Sequence, residues 1–350
     1  MRSLFEQSLL RAAPGRGIEA EVVVLANGCT DNTVEIATEE LQRQLAARQR
    51  INGHVEELKE ANRPQTWNTF IHHVSDPASK YIIMMDGDIY FNNKDSLSLL
   101  IKELEENSNA YAAATKAVKD VSLRRKASLF DKVCLMMTDM MEKAAAPRAH
   151  LTGGCYCGRA DFWRRIILPD GMRGDDAFLS RMCTTNLLTT KPDYNRIALI
   201  PEATFVFEAY SSVRVLFRQH CRRVIGRYIE ALIYKDLGAE IVANGKDGGE
   251  ILRKRSDSDP MWLRRLLETE VGNSRFPIPA RQITLRLTQL PYQGFPRALT
   301  RLPFALLGAC WDALVLLKAT GMLKKNYGET AWFDTRNNRL VDQDPRSNLS

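Results

Sequence analysis

The chain has 350 residues, 45% of them hydrophobic and 26% charged, with a formal net charge of +7. This is the balance of a soluble globular protein with an ample core, long enough for one large domain or two medium ones. The positive charge suits an anionic partner such as a nucleotide diphosphate or an acidic lipid surface; with no zinc spacing or aromatic RNA-binding motif beside it, nucleic acid is excluded.

Seven scattered cysteines, odd in number and without a secretory leader pattern, predict a reducing, cytoplasmic compartment. Cys155 and Cys157 form a C-x-C with no second pair at ligand spacing, so they read as small buried strand residues rather than a zinc site.

In chain order, Arg2 to Ala12 has the spacing of an amphipathic helix, ended by Pro14-Gly15. Glu21 to Ala26 reads as an apolar strand and Asn27 to Thr33 as a polar turn. A helix follows over 33–49, with Asp31 or Thr30 as its cap. His54 to Leu58 is a short strand, 67–74 a helix, and Tyr81 to Met85 a strand. Leu97 to Glu106 is helical and Ala110 to Ala117 a strand of small residues. A long Met- and Ala-rich helix is expected over 128–146, then a strand from Leu151 to Cys157 and a helix from Arg159 to Arg165. Residues 177–182 form a further helix, 197–207 further strands, and Val213 to Tyr234 a long Arg-dense helix. This alternation predicts an α/β fold built on a parallel or mixed sheet.

The run Tyr81 to Met85 is unbroken and apolar, as expected of a strand buried on both faces. It ends in Asp86 and Asp88, with Gly87 between them. Residues i and i+2 of an extended chain project to one side, so both carboxylates can reach one hard cation. Gly87, without a Cβ, lets a ligand approach the backbone. Open α/β sheets bind ligands at the carboxyl ends of their strands, which is where this pair falls.

Four segments then fall in one order: Glu21 to Thr33, Met85 to Asp88, Gly153-Gly-Cys-Tyr-Cys-Gly158, and Gly174-Asp-Asp176. A basic helix from Arg218 to Tyr228 closes the series. Over roughly the first 230 residues the chain resembles a family 2 glycosyltransferase of the GT-A fold. The resemblance implies a nucleotide-diphospho-sugar transferase, with a Rossmann-like mixed sheet flanked by helices. It implies transfer of a sugar from a nucleotide-sugar donor, a UDP-sugar by family habit, to a glycan or lipid-linked acceptor, with inversion at the anomeric carbon.

Residue by residue, the resemblance puts Mg²⁺ or Mn²⁺ on Asp86 and Asp88, against the donor diphosphate. Gly87 lies in the same donor site. Asn27 stands where the family usually has an acid for the base or ribose, which leaves Asp31 to make that contact. Gly153 and Gly154 would let a sugar approach the backbone. Asp175-Asp176 resembles the family's Glu-Asp pair, with Asp176 as general base and Asp175 orienting it or the acceptor. Adjacent carboxylates raise each other's pKa, which suits a proton acceptor near neutrality. His220, Arg222 and Arg223 fall where the family grips the diphosphate, with His220 as a third metal ligand. A basic solvated helix face with a packed His is the equal reading there.

Family members begin with an apolar strand and a turn ahead of the helix at 2–12. This chain begins within that helix, so the resemblance predicts a catalytic domain lacking its first strand. Two other readings follow from the same residues. Asp-x-Asp followed by Gly-Asp-Asp resembles a haloacid-dehalogenase-type phosphatase, although Tyr90 stands where Thr or Val is wanted. The missing strand also admits a catalytically inactive scaffold.

The domain expectation is a GT-A catalytic domain over 1–236, a linker over 237–260 and a helical basic and apolar extension over 261–350. The linker rests on Gly245 to Gly249 and Arg253 to Pro260. Within the extension, Leu302 to Leu317 is apolar but interrupted by Asp312, and is flanked by Arg297, Arg301, Lys318, Lys324 and Lys325. It reads either as a wedge at an anionic membrane, on the inner face of the cell membrane, or as a helix packed on the catalytic domain.

Overall fold

A computed structural model describes residues 1–11, 19–46, 48, 50–123, 150–209, 212–280 and 295–326. The long helix expected over 128–146 lies outside the described residues.

The strands form two sheets. In the first, β1 (Ala20–Asn27) runs parallel to β2 (Ile51–Leu58), in register from Ala20 opposite Ile51 to Asn27 opposite Leu58. Parallel neighbours need a crossover, and α3 (Thr33–Leu45) supplies it. The second sheet has the order β3-β6-β5-β7-β4. These strands are β3 (Tyr81–Met85), β6 (Cys155–Arg159), β5 (Ala112–Lys119), β7 (Ile197–Phe207) and the short β4 (Tyr90–Phe91). β6 is antiparallel to both β3 and β5, while β5 and β7 are parallel. The expected mixed α/β sheet is therefore present. Both sheets are open: among the described residues the edge strands are β1 and β2 in the first and β3 and β4 in the second.

The small residues at the sheet centre let bulky groups come close. Ala112, Ala113, Ala114, Cys155 and Cys157 are fully buried. A Cβ on Gly158 would come within 1.8 Å of the Trp163 ring, so the indole uses the room that glycine leaves. Trp163 in turn packs against Trp67 and Tyr156. Cys155 and Cys157 are thus core residues, and burial pushes both thiols well up from the usual range.

The N-terminal helix is broken in two, α1 (Arg2–Phe5) and α2 (Ser8–Arg11), with Ala12 outside the described residues. The cause lies at Gln7 and Ser8. Gln7 is buried, donating to Asn93 O and accepting from Leu97 N, and the Ser8 amide goes to Lys94 O instead of the preceding turn. α4 (Arg63–Thr69) starts four residues earlier than the apolar pattern suggests, because Asn62 caps it by accepting from Gln65 N. A π-helical turn, Phe70–Val74, follows it. α5 (Ser96–Glu106) covers the sheet, and α6 (Ala160–Trp163) and α7 (Asp175–Thr184) follow β6.

The linker expected over 237–260 is not one. α8 (Val213–Asn244) runs through its first part and ends at Gly245, whose φ of 65° is left-handed. α9 (Gly248–Ser258) begins three residues later, capped by Asp247 accepting from Glu250 N. The paired glycines serve close packing: a Cβ on Gly249 would sit 2.3 Å from Arg165 O. Ile251 and Leu252 are buried in the main core. The expected extension shares that core, through Leu263 of α10 (Trp262–Gly272) and Val315, Leu316 and Leu323 of α11 (Phe295–Asn326).

Candidate active site

Four described segments converge at the carboxyl end of β3. Asp86 leaves that strand with its amide donating to Gly154 O at 2.8 Å, which extends the β3–β6 pairing by one step. Gly153 and Gly154 precede β6. Asp175 and Asp176 form the first turn of α7, where the helix N-terminus favours negative charge. Gly174, with φ of 81°, turns the chain into that helix from a left-handed conformation.

Arg63, from the start of α4, joins them. Its Nη1 lies 2.9 Å from Asp86 Oδ1 and its Nε donates to Asp175 Oδ2 at 2.8 Å. Nη2 donates to Gly153 O at 3.1 Å. Asp176 completes the group: its Oδ2 would stand 3.4 Å from a Cβ placed on Gly153. Tyr156 is fully buried at the same place, and burial and Asp175 push its phenol well up.

The charges strain against one another. Burial, with Asp88 and Asp175 nearby, pushes the Asp86 carboxyl up to about 6, against the pull of Arg63. Burial and then Asp175 raise Asp176 above the usual carboxylate range. Burial works against the Arg63 charge, but Asp175 and Asp86 hold it protonated well beyond its ordinary range.

The expected donor residues are distributed unevenly. Asp88 is exposed, next to Gly87, whose Cβ position has nothing within 4 Å, so this tip is open to a ligand. Asn27 is half-buried, and its Oδ1 accepts from the Asn62 amide at 2.8 Å, tying β1 to the start of α4. Asp31 is exposed and accepts from Thr33 N, so it helps to start α3. Gly154 offers no approach to a sugar, because the Phe205 ring comes within 2.4 Å of its Cβ position. On α8, Arg222 is half-buried and Arg223 exposed.

His220 does not join Asp86 and Asp88. Among the described residues no three His, Cys, Asp or Glu side chains are arranged to hold a metal. His220 Nδ1 instead accepts from Trp311 Nε1 of α11 at 2.9 Å. Two adjacent carboxylates at an open strand end still fit a hard cation that takes its other oxygens from a diphosphate and water.

Arg63 is the residue that the motifs missed. A weak signal existed: Asn62-Arg63-Pro64 places a cation in the first turn of a helix, where the dipole disfavours it. Asn62 holds that turn in place, its Nδ2 donating to Asp170 Oδ1 at 2.6 Å.

No curated protein matches the chain. Residues 2–166 match the family model described as Glycosyl transferase family 2, a stretch that includes Arg63, Asp86, Asp88 and Gly153 and ends before Asp175. Over this stretch, just under half of its length, the chain is similar to glycosyl transferase family 2.

Proposed function

We propose that the protein is an inverting glycosyltransferase that moves a sugar from a UDP-sugar to a glycan or lipid-linked acceptor, with Asp176 as general base. The observation that carries this reading is the meeting of Asp86, from a strand end inside the family match, with the Asp175-Asp176 pair, through Arg63. Asp86 and Asp88 would hold Mg²⁺ or Mn²⁺, which when bound supplies Lewis-acid stabilisation to the leaving diphosphate. Asp176, raised by burial and by Asp175, is suited to take the proton of the acceptor hydroxyl. Gly153 leaves room beside it. Asn27, Asp31, Arg222 and Arg223 are the remaining donor contacts of this reading.

A panel of nucleotide sugars incubated with the protein tests the activity. Release of nucleoside diphosphate with Mn²⁺ and none in EDTA supports it. Cleavage of p-nitrophenyl phosphate instead would favour the phosphatase reading, and inertness toward both would favour the scaffold.

The membrane reading draws support from α11. Leu302–Lys325 is, by length and composition, one helix apolar enough to cross a membrane. Its two sides differ in partner rather than in polarity. Val315, Ala319 and Leu323 pack on the core, and Trp311 meets Phe217 of α8 edge-on at 5.3 Å. Phe304, Leu307, Leu314 and Leu317 are exposed. Asp312, the acid that interrupts the apolar run, is buried with the inner side and leaves the outer one uncharged there. With Lys318, Lys324 and Lys325 exposed toward the end, this is the pattern of a helix lying in an anionic surface. The expected result is flotation of the full chain with anionic liposomes, lost in Leu307→Glu/Leu314→Glu/Leu317→Glu. Equal recovery of both proteins in the soluble fraction would end the membrane reading.

A further inference from the structure

Arg63 bonds carboxylates on both sides of the site. Asp86 belongs to the strand end that the proposed donor complex needs, and Asp175 to the helix turn that carries the proposed base. With Nη1 on Asp86, Nε on Asp175 and Nη2 on Gly153 O, one planar fork engages three segments at 2.8–3.1 Å. A planar guanidinium suits this task better than a point charge such as the Lys ammonium. The fork is itself fixed from behind, because Asn62 is bonded to Asn27, Gln65 and Asp170. Arg63 is thus an ordered part of the site.

A carboxylate oxygen held by a guanidinium cannot give the same lone pair to a metal ion. We propose that Arg63 is a positioning residue acting as an internal counter-ion, which competes with a divalent cation for Asp86 while keeping Asp175 in place. This rests on the reading of Asp86 and Asp88 as the metal-binding pair. When a cation takes Asp86, the fork keeps two anchors, Asp175 and Gly153 O. The acid pair therefore stays positioned in both conditions, and the cost of breaking the Arg63–Asp86 pair weakens cation binding when no donor is present.

The test is Mn²⁺ titration of the full chain without nucleotide, followed by electron paramagnetic resonance of the free ion. Arg63→Gln is expected to bind Mn²⁺ about tenfold more tightly than the parent, because a neighbouring positive charge and its bond to Asp86 are both gone. Arg63→Lys, which keeps the charge but cannot span the three groups, should fall between the two. The gain must vanish when Asp86→Asn is added, since the competition runs through that side chain. Unchanged or weaker binding in Arg63→Gln, or a gain that persists with Asp86→Asn, would overturn the proposal. Should Arg63→Gln not fold, the Arg63→Lys comparison decides: tighter Mn²⁺ binding supports competition, and parent-like binding overturns it. At saturating Mn²⁺ and donor, Arg63→Gln should lower kcat for transfer more than it alters donor KM, with partial recovery in Arg63→Lys; an effect on KM alone would contradict the positioning role. A parent protein that shows the competition but transfers no sugar would sink the glycosyltransferase reading and leave this inference standing.

Discussion

Asp176→Asn is expected to lower sugar transfer by ~10²–10⁴-fold, the range for loss of a general base. Donor affinity should stay within about threefold, because the base acts on the acceptor and the loss falls on the transition state. The substitution removes a carboxylate that burial and Asp175 hold above the usual range. Such a group costs the folded state stability once it is ionised, and costs nothing at pH low enough for both folded and unfolded forms to be protonated. The Asp176→Asn protein should accordingly melt at a higher temperature than the parent near neutral and alkaline pH. That gain should shrink as the pH falls into the carboxylate range. Should Asp175→Asn abolish transfer and Asp176→Asn leave it intact, the two roles are exchanged.

The second large effect concerns the donor. Calorimetry with UDP should give binding that needs Mn²⁺ or Mg²⁺ and is weakened at least ~10-fold by Asp88→Ala, since even outer-shell changes cost metal sites that much. Asp88 is the cleaner choice because it is exposed, whereas Asp86 also holds Arg63. The pH adds a signature. With Asp86 raised to about 6 in the metal-free protein, its carboxyl is increasingly protonated below that pH and a poorer ligand. Metal-dependent binding should therefore weaken as the pH falls through about 6. Binding of equal strength in EDTA would remove the metal role altogether.

Much of the fold was legible because burial leaves simple traces. The apolar run at β3 and the small residues of β5 mark buried strands, and the helix period marks α3 and α5. What the sequence concealed depended on contacts between distant segments. Gly248-Gly249 has linker composition, yet both glycines are there because Leu187 and Arg165 press against them. Gly153 and Gly154 look alike in the chain, but one opens toward Asp176 and the other is filled by Phe205. The break at Gln7 depends on Asn93 and Leu97, some ninety residues away.

The site was legible in the same measure. Asp86 and the Asp175-Asp176 pair could be singled out, the first because an acid that ends an apolar strand is costly unless used, the second because the pair resembles the family's acid pair. That they meet through one guanidinium could not be read, since nothing in the spacing of 63, 86 and 175 says so. His220 had two equal readings, a ligand implied by the resemblance and a packed side chain, and the bond from Trp311 where α8 meets α11 favours the second.

The most direct measurement of the central claim needs no knowledge of the acceptor. The protein is incubated with an α-linked UDP-sugar and Mn²⁺, with water as the only acceptor, and the released sugar is followed by proton NMR before its anomers equilibrate. An inverting transfer predicts that the β-anomer appears first, together with UDP, and that neither appears with Asp176→Asn. First release of the α-anomer, of a sugar phosphate, or of β-anomer at an unchanged rate from Asp176→Asn would contradict the account.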